Sequence, residues 1–335
     1  MHGRPLIPLA VALGLLGPMA ARADQPSGTS VPDPSTIITG QVENDSISGT
    51  DRYYTSGVRL GVTLPTGQLP GFVHDAGQWL WGDGQQRLAF DLTQSIFTPR
   101  VTQAAQPDPR DRPYAAILLG TTSLIHDSDN TRNIVSLGLG AIGPAALGEE
   151  AQNGVHHIIG AKSAKGWASQ LPGQAVVQIT ADRIWRVPIT PRDGALEMDV
   201  LPEVTAGVGT WRVYGQAGAQ VRIGQGLDAD FGVARIRPGL SGGDAFNTSR
   251  GLAWYVFAGV DGQAVAWDET LDGEPFTSTR HVTRTPLVAE VQAGVVVMIA
   301  NGIRASFTQV YQTHEFVGQH RRLFGFSSAA LSVKF

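Results

Sequence analysis

The sequence predicts an all-β fold, an antiparallel transmembrane β-barrel of about 12 strands with a short helical insertion near 147–160. Three observations predict it. The chain opens on "MHGRPLIPLAVALGLLGPMAARA", where Arg4 precedes a short apolar run and "ARA" precedes Asp24, the pattern of an export signal. No later segment approaches 18 uninterrupted apolar residues, so helices do not span a bilayer. Segments with apolar residues at every second position recur along the rest, the pattern of strands with one face to lipid and one to a lumen.

Residues 1–23 are expected to be a signal peptide and 24–335 one barrel domain. Removal of Arg4 and Arg22 leaves 23 basic residues against 29 acidic, a balance that offers nothing to nucleic acid. The chain has no cysteine, so disulfides contribute nothing and stability must come from the fold itself. Forty-one glycines and moderate hydrophobicity suit a barrel better than a helical membrane protein.

Strands are expected near 36–43, 55–64, 86–95, 115–125, 132–142, 175–187, 195–207, 213–223, 252–262, 284–299, 302–313 and 324–335. In "SGVRLGVTL", Val58, Leu60, Val62 and Leu64 share one face, and Arg59, Gly61 and Thr63 the other. "QAGAQVRIG" alternates Ala217, Ala219, Val221 and Ile223 with Gln216, Gly218, Gln220 and Arg222. Asn301-Gly302 between two β-rich runs is a hairpin signal. The final "AALSVKF" puts Leu331, Val333 and Phe335 on one face, the way outer-membrane barrels end. An even strand number places both termini at one end. A soluble β-sandwich explains the alternation but not this terminal aromatic strand. Twelve strands enclose a narrow, side-chain-filled interior, which disfavours a diffusion channel.

"GPAALGEEAQNGVHHIIGAKSAKGWASQL" (143–171) breaks the period of two. Leu147, Ala151, Val155 and Ile158 follow helical spacing, and Gly160 is placed to end the helix. Gln152 and His156, four apart, share a face of it. A neutral imidazole there can take a proton from water, and an amide can hold water or substrate.

The other polar concentration is "ENDSISGTDRYYTSG" (43–57). Its Asn, Asp, Ser and Gly suit a turn. Yet Asn44-Asp45 end one strand and Thr55 begins the next, so an amide, a carboxylate and a hydroxyl converge across a hairpin. Oxygen-rich sets of this kind suit a hard cation such as Ca²⁺. "DPRDRPYAAILLG" puts Arg112 and Tyr114 at a strand entry, read as a rim salt bridge and an interfacial aromatic, with a lipid phosphate as a further partner for Arg112. "HEFVGQHRRLFG" (314–325) reads as a solvent-facing loop between strands, with lipid-headgroup contact as the lesser alternative. No Gly-x-Ser-x-Gly elbow or HExxH motif occurs.

Over nearly the whole mature chain, "ENDSISGTDRYYTSGVRLG", "SIFTPR", "DRPYAAILLG", "LGAIGPAALGEEAQNGVHHIIGAKSAKGWASQL", "LPEVTAGVG", "TSTRHVTRTPLVAEVQAG" and "YQTHEFVGQHRRLFGFSSAALSVKF" follow one another. In this order they resemble the lipid A 3′-O-deacylase (LpxR-type) family. The resemblance implies a monomeric twelve-stranded outer-membrane barrel and a Ca²⁺-dependent esterase. That enzyme would remove the 3′-linked acyloxyacyl chain from lipid A of lipopolysaccharide, at a site facing the outer leaflet. It implies catalytic roles for Asn44, Asp45, Thr55, Gln152 and His156, with Asp45 and Asn44 beside the metal. The chain departs from the family twice. The stretch after Thr98-Pro99, where the family carries an active-site lysine, is "RVTQAAQPDPR" and holds none. A carboxylate and a tyrosine that follow the family histidine are met by Lys162 and Ala164. Two other readings stand beside the esterase: a catalytically impaired lipid-binding or structural barrel, and an outer-membrane phospholipase.

Overall fold

The computed structural model describes residues 28–46, 49–192, 195–236, 244–274, 279–320 and 323–335. The expected export signal lies outside them. Among the described residues, twelve long antiparallel strands and one two-residue strand form the sheet, in chain order β1 Ile37–Asn44, β2 Tyr53–Thr63, β3 Gln85–Thr98, β4 Ala115–Asp127, β5 Thr131–Ile142, β6 Gln174–Trp185, β7 Val187–Pro188, β8 Glu197–Gly209, β9 Arg212–Gln225, β10 Leu252–Asp268, β11 Leu287–Ile299, β12 Ile303–Gln312 and β13 Phe324–Lys334. Each long strand pairs with its sequence neighbours, β1 pairs with β13, and β6 pairs directly with β8, so the sheet closes. Closure removes the free edges that lipid would not tolerate. The extra strand β7 pairs only with the start of β8.

Alternation fixes the faces. On β2, Val58, Leu60 and Val62 are exposed, while Arg59, Gly61 and Thr63 are buried. On β3, Phe90 and Leu92 are exposed on the even-numbered face, and Arg87 and Ala89 are buried on the odd-numbered one. The outward face is the apolar lipid band and the inward face is charged.

The lumen is filled rather than open. Arg222 pairs with Asp199 and Asp230, and Arg304 and Tyr255 also reach Asp230. Asp230 belongs to the connection between β9 and β10, which folds into the barrel with Phe231 and Phe246 fully buried. From the same connection, Arg235 meets Glu43 and Asp244 meets Arg59, tying the insert to the wall. What remains is a cavity of about 220 Å³ bordered by Arg59, Asp91, Gln178, Trp211 and Tyr214. These buried charges are matched by opposite ones, as a low-dielectric interior demands.

The hairpin between β11 and β12 turns one residue earlier than Asn301-Gly302 suggests. Ala300 and Asn301 take the left-handed conformation (φ 49° and 52°). Asn301 is held there by its side chain, which accepts from Thr248 N and from Lys334 Nζ, both at 2.9 Å.

Among the described residues, three α-helices lie outside the sheet: α1 Gly71–Trp81, α2 Gly148–Ile159 and the single turn α3 Glu269–Asp272. Helix α2 is the insertion that the sequence predicts, and Gly160 (φ 70°) ends it by returning its amide to the last-turn carbonyls. Helix α1 has no counterpart among the expected elements.

At the end of the barrel away from the termini, Arg112 is fully buried. It donates to Glu315 (3.1 Å) and Thr270 (2.9 Å) and lies over Phe97. It therefore knits three connections together and is not available to a lipid phosphate. Tyr114 is likewise buried, its hydroxyl donating to Thr102 O and its ring packed on Trp167. Glu315 and Phe316 are buried, so the 314–320 part of the last connection is not simply solvent-facing. Arg321 and Arg322 lie outside the described residues.

Candidate active site

The site forms on the outer face of the wall, at the end opposite the termini. Three local features place its side chains there. The first is a β-bulge in β2. Register with β3 runs Ser56↔Ile96 and then Tyr54↔Phe97, leaving Thr55 as the extra residue. Strict alternation from Gly57 would turn Thr55 into the lumen. The bulge turns it outward instead, and its hydroxyl bonds that of Thr98 on the even-numbered face of β3 (2.7 Å).

The second feature is the seating of α2. Gly148 opens the helix against β4 so closely that a Cβ there would lie 2.4 Å from Ala116 Cβ and 2.6 Å from the Trp167 ring. Only glycine allows the helix this near the wall. Gln94, pointing outward from β3, donates to Ala146 O (2.6 Å) and fixes the approach. One turn apart along the inner face follow Gly148, Gln152 and His156.

The third is the return of the chain after α2. Asn153 makes a two-way bond with Ala164, accepting its amide (2.7 Å) and donating to its carbonyl (3.2 Å). His156 Nδ1 bonds Lys162 O at 2.8 Å. A carbonyl can only accept, so Nδ1 carries the proton and Nε2 presents a lone pair.

These features converge on a residue outside the sequence-based candidates, Asp51. Its Oδ1 accepts from Gln152 Nε2 (3.0 Å), and its Oδ2 accepts from Thr102 Oγ1 (3.3 Å). His156 Nε2 lies 3.6 Å from Oδ2. Gln152 is itself oriented by Trp167 Nε1, which donates to its Oε1 (2.8 Å). Gln152 and His156 thus share one carboxylate, as their four-residue spacing allows.

Asn44, Asp45 and Thr55 meet across the hairpin as expected, but through backbone as much as side chains. Asn44 Nδ2 and Asp45 N both donate to Thr55 O (3.0 and 3.4 Å). Asn44 Oδ1 accepts from Ser46 N (2.7 Å), which ties the side chain to the turn and leaves one lone pair of that oxygen. Asp45 is buried, and its Oδ2 accepts from Thr50 Oγ1 (2.6 Å) and Arg52 N (2.9 Å). Burial pushes this carboxyl up to about 7, the two hydrogen bonds oppose the rise, and the nearby Asp51 charge adds to it.

The donors here suit a hard cation by charge and chemistry more than by number. Among the described residues no three His, Cys, Asp or Glu side chains converge. Two carboxylates, Asp45 and Asp51, are near enough for one to raise the other. The Asp51 charge lies close enough to the buried Asp45 carboxyl to raise it, so a cation between them would relieve both. All-oxygen donors of this charge fit Ca²⁺ chemistry, and Asp45 and Asp51 would hold it.

The sequence pattern of the outer membrane protein LpxR family matches residues 7–335. Among solved structures, LpxR from Salmonella typhimurium superimposes with a TM-score of 0.72 at 23% identity, over 89% of this chain and 100% of that one. The β domain of the Bordetella autotransporter BrkA aligns at 11% identity with a TM-score of 0.43, over 91% of this chain and 99% of that one. The translocator domain of NalP from Neisseria meningitidis aligns at 12% with a TM-score of 0.40, over 90% and 89%. No curated protein sequence matches the chain. The chain belongs to the LpxR outer-membrane protein family.

Proposed function

We propose that this LpxR-family barrel is a Ca²⁺-dependent lipid A 3′-O-deacylase that hydrolyses the ester of the 3′-linked acyloxyacyl chain. The observation that carries the reading is the His156–Asp51 pair under α2, on the lipid side of the wall. We place that end of the barrel at the outer leaflet, where lipopolysaccharide lies, and take the protein to act as a monomer.

His156 Nε2 takes a proton from a water molecule, whose oxygen attacks the ester carbonyl carbon. Lys162 O holds the other ring nitrogen protonated, which fixes the tautomer. The Asp51 carboxylate stabilises the imidazolium that forms, while Gln152 and Thr102 keep that carboxylate aimed. The tetrahedral intermediate then expels the 3′ oxygen, which takes the proton back from His156. The products are a free hydroxyl and an acyloxyacyl acid. A bound Ca²⁺ would supply charge to stabilise the oxyanion. Asp45 and Asp51 carry the negative charge that holds such an ion. Asn44 and Thr55 shape the hairpin that positions Asp45.

The test is incubation of purified protein with lipid A or phosphatidylethanolamine, with Ca²⁺ or a chelator, followed by mass spectrometry. Loss of one acyloxyacyl mass from lipid A, absent with chelator and with His156→Ala, is the expected result. Cleavage of the phospholipid alone would replace the reading with a phospholipase. Intact lipids of both kinds from folded protein would leave a lipid-binding barrel.

A further inference from the structure

Helix α1 takes no part in the site, yet its placement is unusual. Even-numbered residues of β3 and β4 point outward, and Gln86 and His126 are register partners on that face. Unlike Phe90 and Leu92 further along, both are buried, because α1 lies over them. Gln86 Nε2 donates to His74 O (3.2 Å), and His126 Nε2 donates to Gly82 O (3.1 Å). Trp81 packs its ring on His126 at 5.5 Å. The helix is therefore docked on the outside of the barrel, at the end that holds the termini, flush with the lipid band.

At 100° per residue the helix has three sides. Val73, His74, Gly77 and Trp81 face the wall. Phe72, Ala76, Trp79 and Leu80 form one free flank, and Asp75 and Gln78 the other. Phe72 is 77% exposed and Trp79 84%. A helix with two large aromatic rings on one flank and polar side chains on the other is built for a lipid–water boundary.

We infer that α1 is an interfacial helix. It lies at the headgroup–acyl boundary of the leaflet at the terminal end, with the Phe72–Trp79 flank among phospholipid acyl chains. Helix α2 covers the same two strands at their other end, through Gln94 and Ala116. Gln86 and Gln94 are eight residues apart in β3. That separation is about 26 Å along the strand, or about 20 Å of height at a tilt of ~40°, of the order of the ~25 Å apolar band of such barrels. The two helices bracket the band and fix how deep the barrel sits, and hence the height of the site above the acyl chains. The inference rests on the chain spanning the membrane and is independent of the reaction proposed above.

Because the chain has no cysteine, single-cysteine variants report cleanly. Trp79→Cys, Asp75→Cys and Leu92→Cys carry an environment-sensitive fluorophore in protein folded into phosphatidylcholine vesicles, with folding checked by heat-modifiable gel mobility. Expected are strong quenching of the Trp79→Cys label by lipids spin-labelled high on the acyl chain, and at least threefold weaker quenching by aqueous iodide than at Asp75→Cys. The Leu92→Cys label gives the membrane-embedded reference. Equal iodide quenching at 79 and 75, with no quenching by the lipids, would overturn the inference and leave a protein as the partner of that flank. The unmodified chain gives a second reading that needs no substitution. A photoactivatable phospholipid should leave adducts on residues 72–80, and adducts on 88–92 with none on 72–80 would equally overturn it.

Discussion

Asp51→Asn tests the core of the proposed chemistry, because it removes one charge and little else. The substituted amide keeps an oxygen for Gln152 and another polar atom near Thr102, so the hairpin and α2 should stay seated. What disappears is the attraction between the carboxylate and the imidazolium formed when His156 takes its proton. At the 3.6 Å separation of His156 Nε2 and Asp51 Oδ2, that attraction is about 4.6 kcal/mol in a medium of ε ≈ 20 and about 1.2 kcal/mol in water. His156 is largely covered, whereas the Asp51 side chain is 35% exposed, so screening pulls the value toward the lower bound. About 2 kcal/mol is expected, a loss of about 30-fold in kcat with little change in KM. The assay is the rate of acyloxyacyl acid release from lipid A at saturating Ca²⁺, read by mass spectrometry. A kcat within threefold of wild type would refute the imidazolium role. Full recovery in excess Ca²⁺ would refute it as well, and would leave Asp51 with cation binding as its one role.

Other expectations follow from the same geometry. The Asp45 carboxyl, raised to about 7, must be ionised to hold a cation, so the half-saturating Ca²⁺ concentration should rise about tenfold per pH unit below 7 and level off above it; Asp45→Asn should abolish the slope. Without a cation the sign for stability is the reverse: the contribution of Asp45 is full below the ordinary carboxylate range and is lost as pH rises through about 7, which unfolding of the chelated protein at pH 5 and 8 would show. Gly148→Val puts a side chain where only 2.4 Å separates a Cβ from Ala116, so α2 should shift by about 1 Å; activity should fall ~100-fold or more while heat-modifiable mobility stays that of a folded barrel. Arg112→Met removes the buried cation that pairs with Glu315 and should cost about 3–5 kcal/mol in denaturant unfolding from vesicles, and an unchanged midpoint would count against the ion pair's structural role.

The barrel was legible because its period of two is imposed by lipid on one side, and twelve segments carry it. Helix α2 was legible because it interrupts that period. Helix α1 was not, since "GFVHDAGQWLW" contains two glycines and turns two of its three aromatic rings, Phe72 and Trp79, away from the wall. The insert that fills the lumen was equally hidden: its anchors, Asp230, Arg235 and Asp244, read locally as a polar loop, and their partners Arg304, Glu43 and Arg59 are remote in sequence. Asp51 lies within the polar stretch 43–57, but nothing in sequence tells which of Asp45 and Asp51 faces a helix about a hundred residues later. The bond from Gln152 to Asp51 is a tertiary fact. The spacing of Gln152 and His156 did signal that some shared partner existed.

The position of these groups also decides how a substrate reaches them. Among the described residues the insert and its ion pairs fill much of the lumen and leave a cavity of about 220 Å³, so the placement of the site favours approach along the outer surface. Asn44 lies on the exposed-alternating face of β1, the bulge brings Thr55 to the outward face of β2, and Gln94 and Ala116 carry α2 on the outward faces of β3 and β4. Val155, Ile158 and Ile159 then extend the apolar outer surface along the free side of α2, next to His156. On the proposed reading a lipid can therefore arrive sideways, its chains never leaving an apolar surface, and only its ester need reach the polar groups between α2 and the wall. Desolvating that ester costs less from a bilayer than from water, because the acyl chains stay where they were. On the proposed reading the barrel serves as a post that holds the His156–Asp51 pair at one depth in the membrane, and the filling of its interior keeps that post rigid.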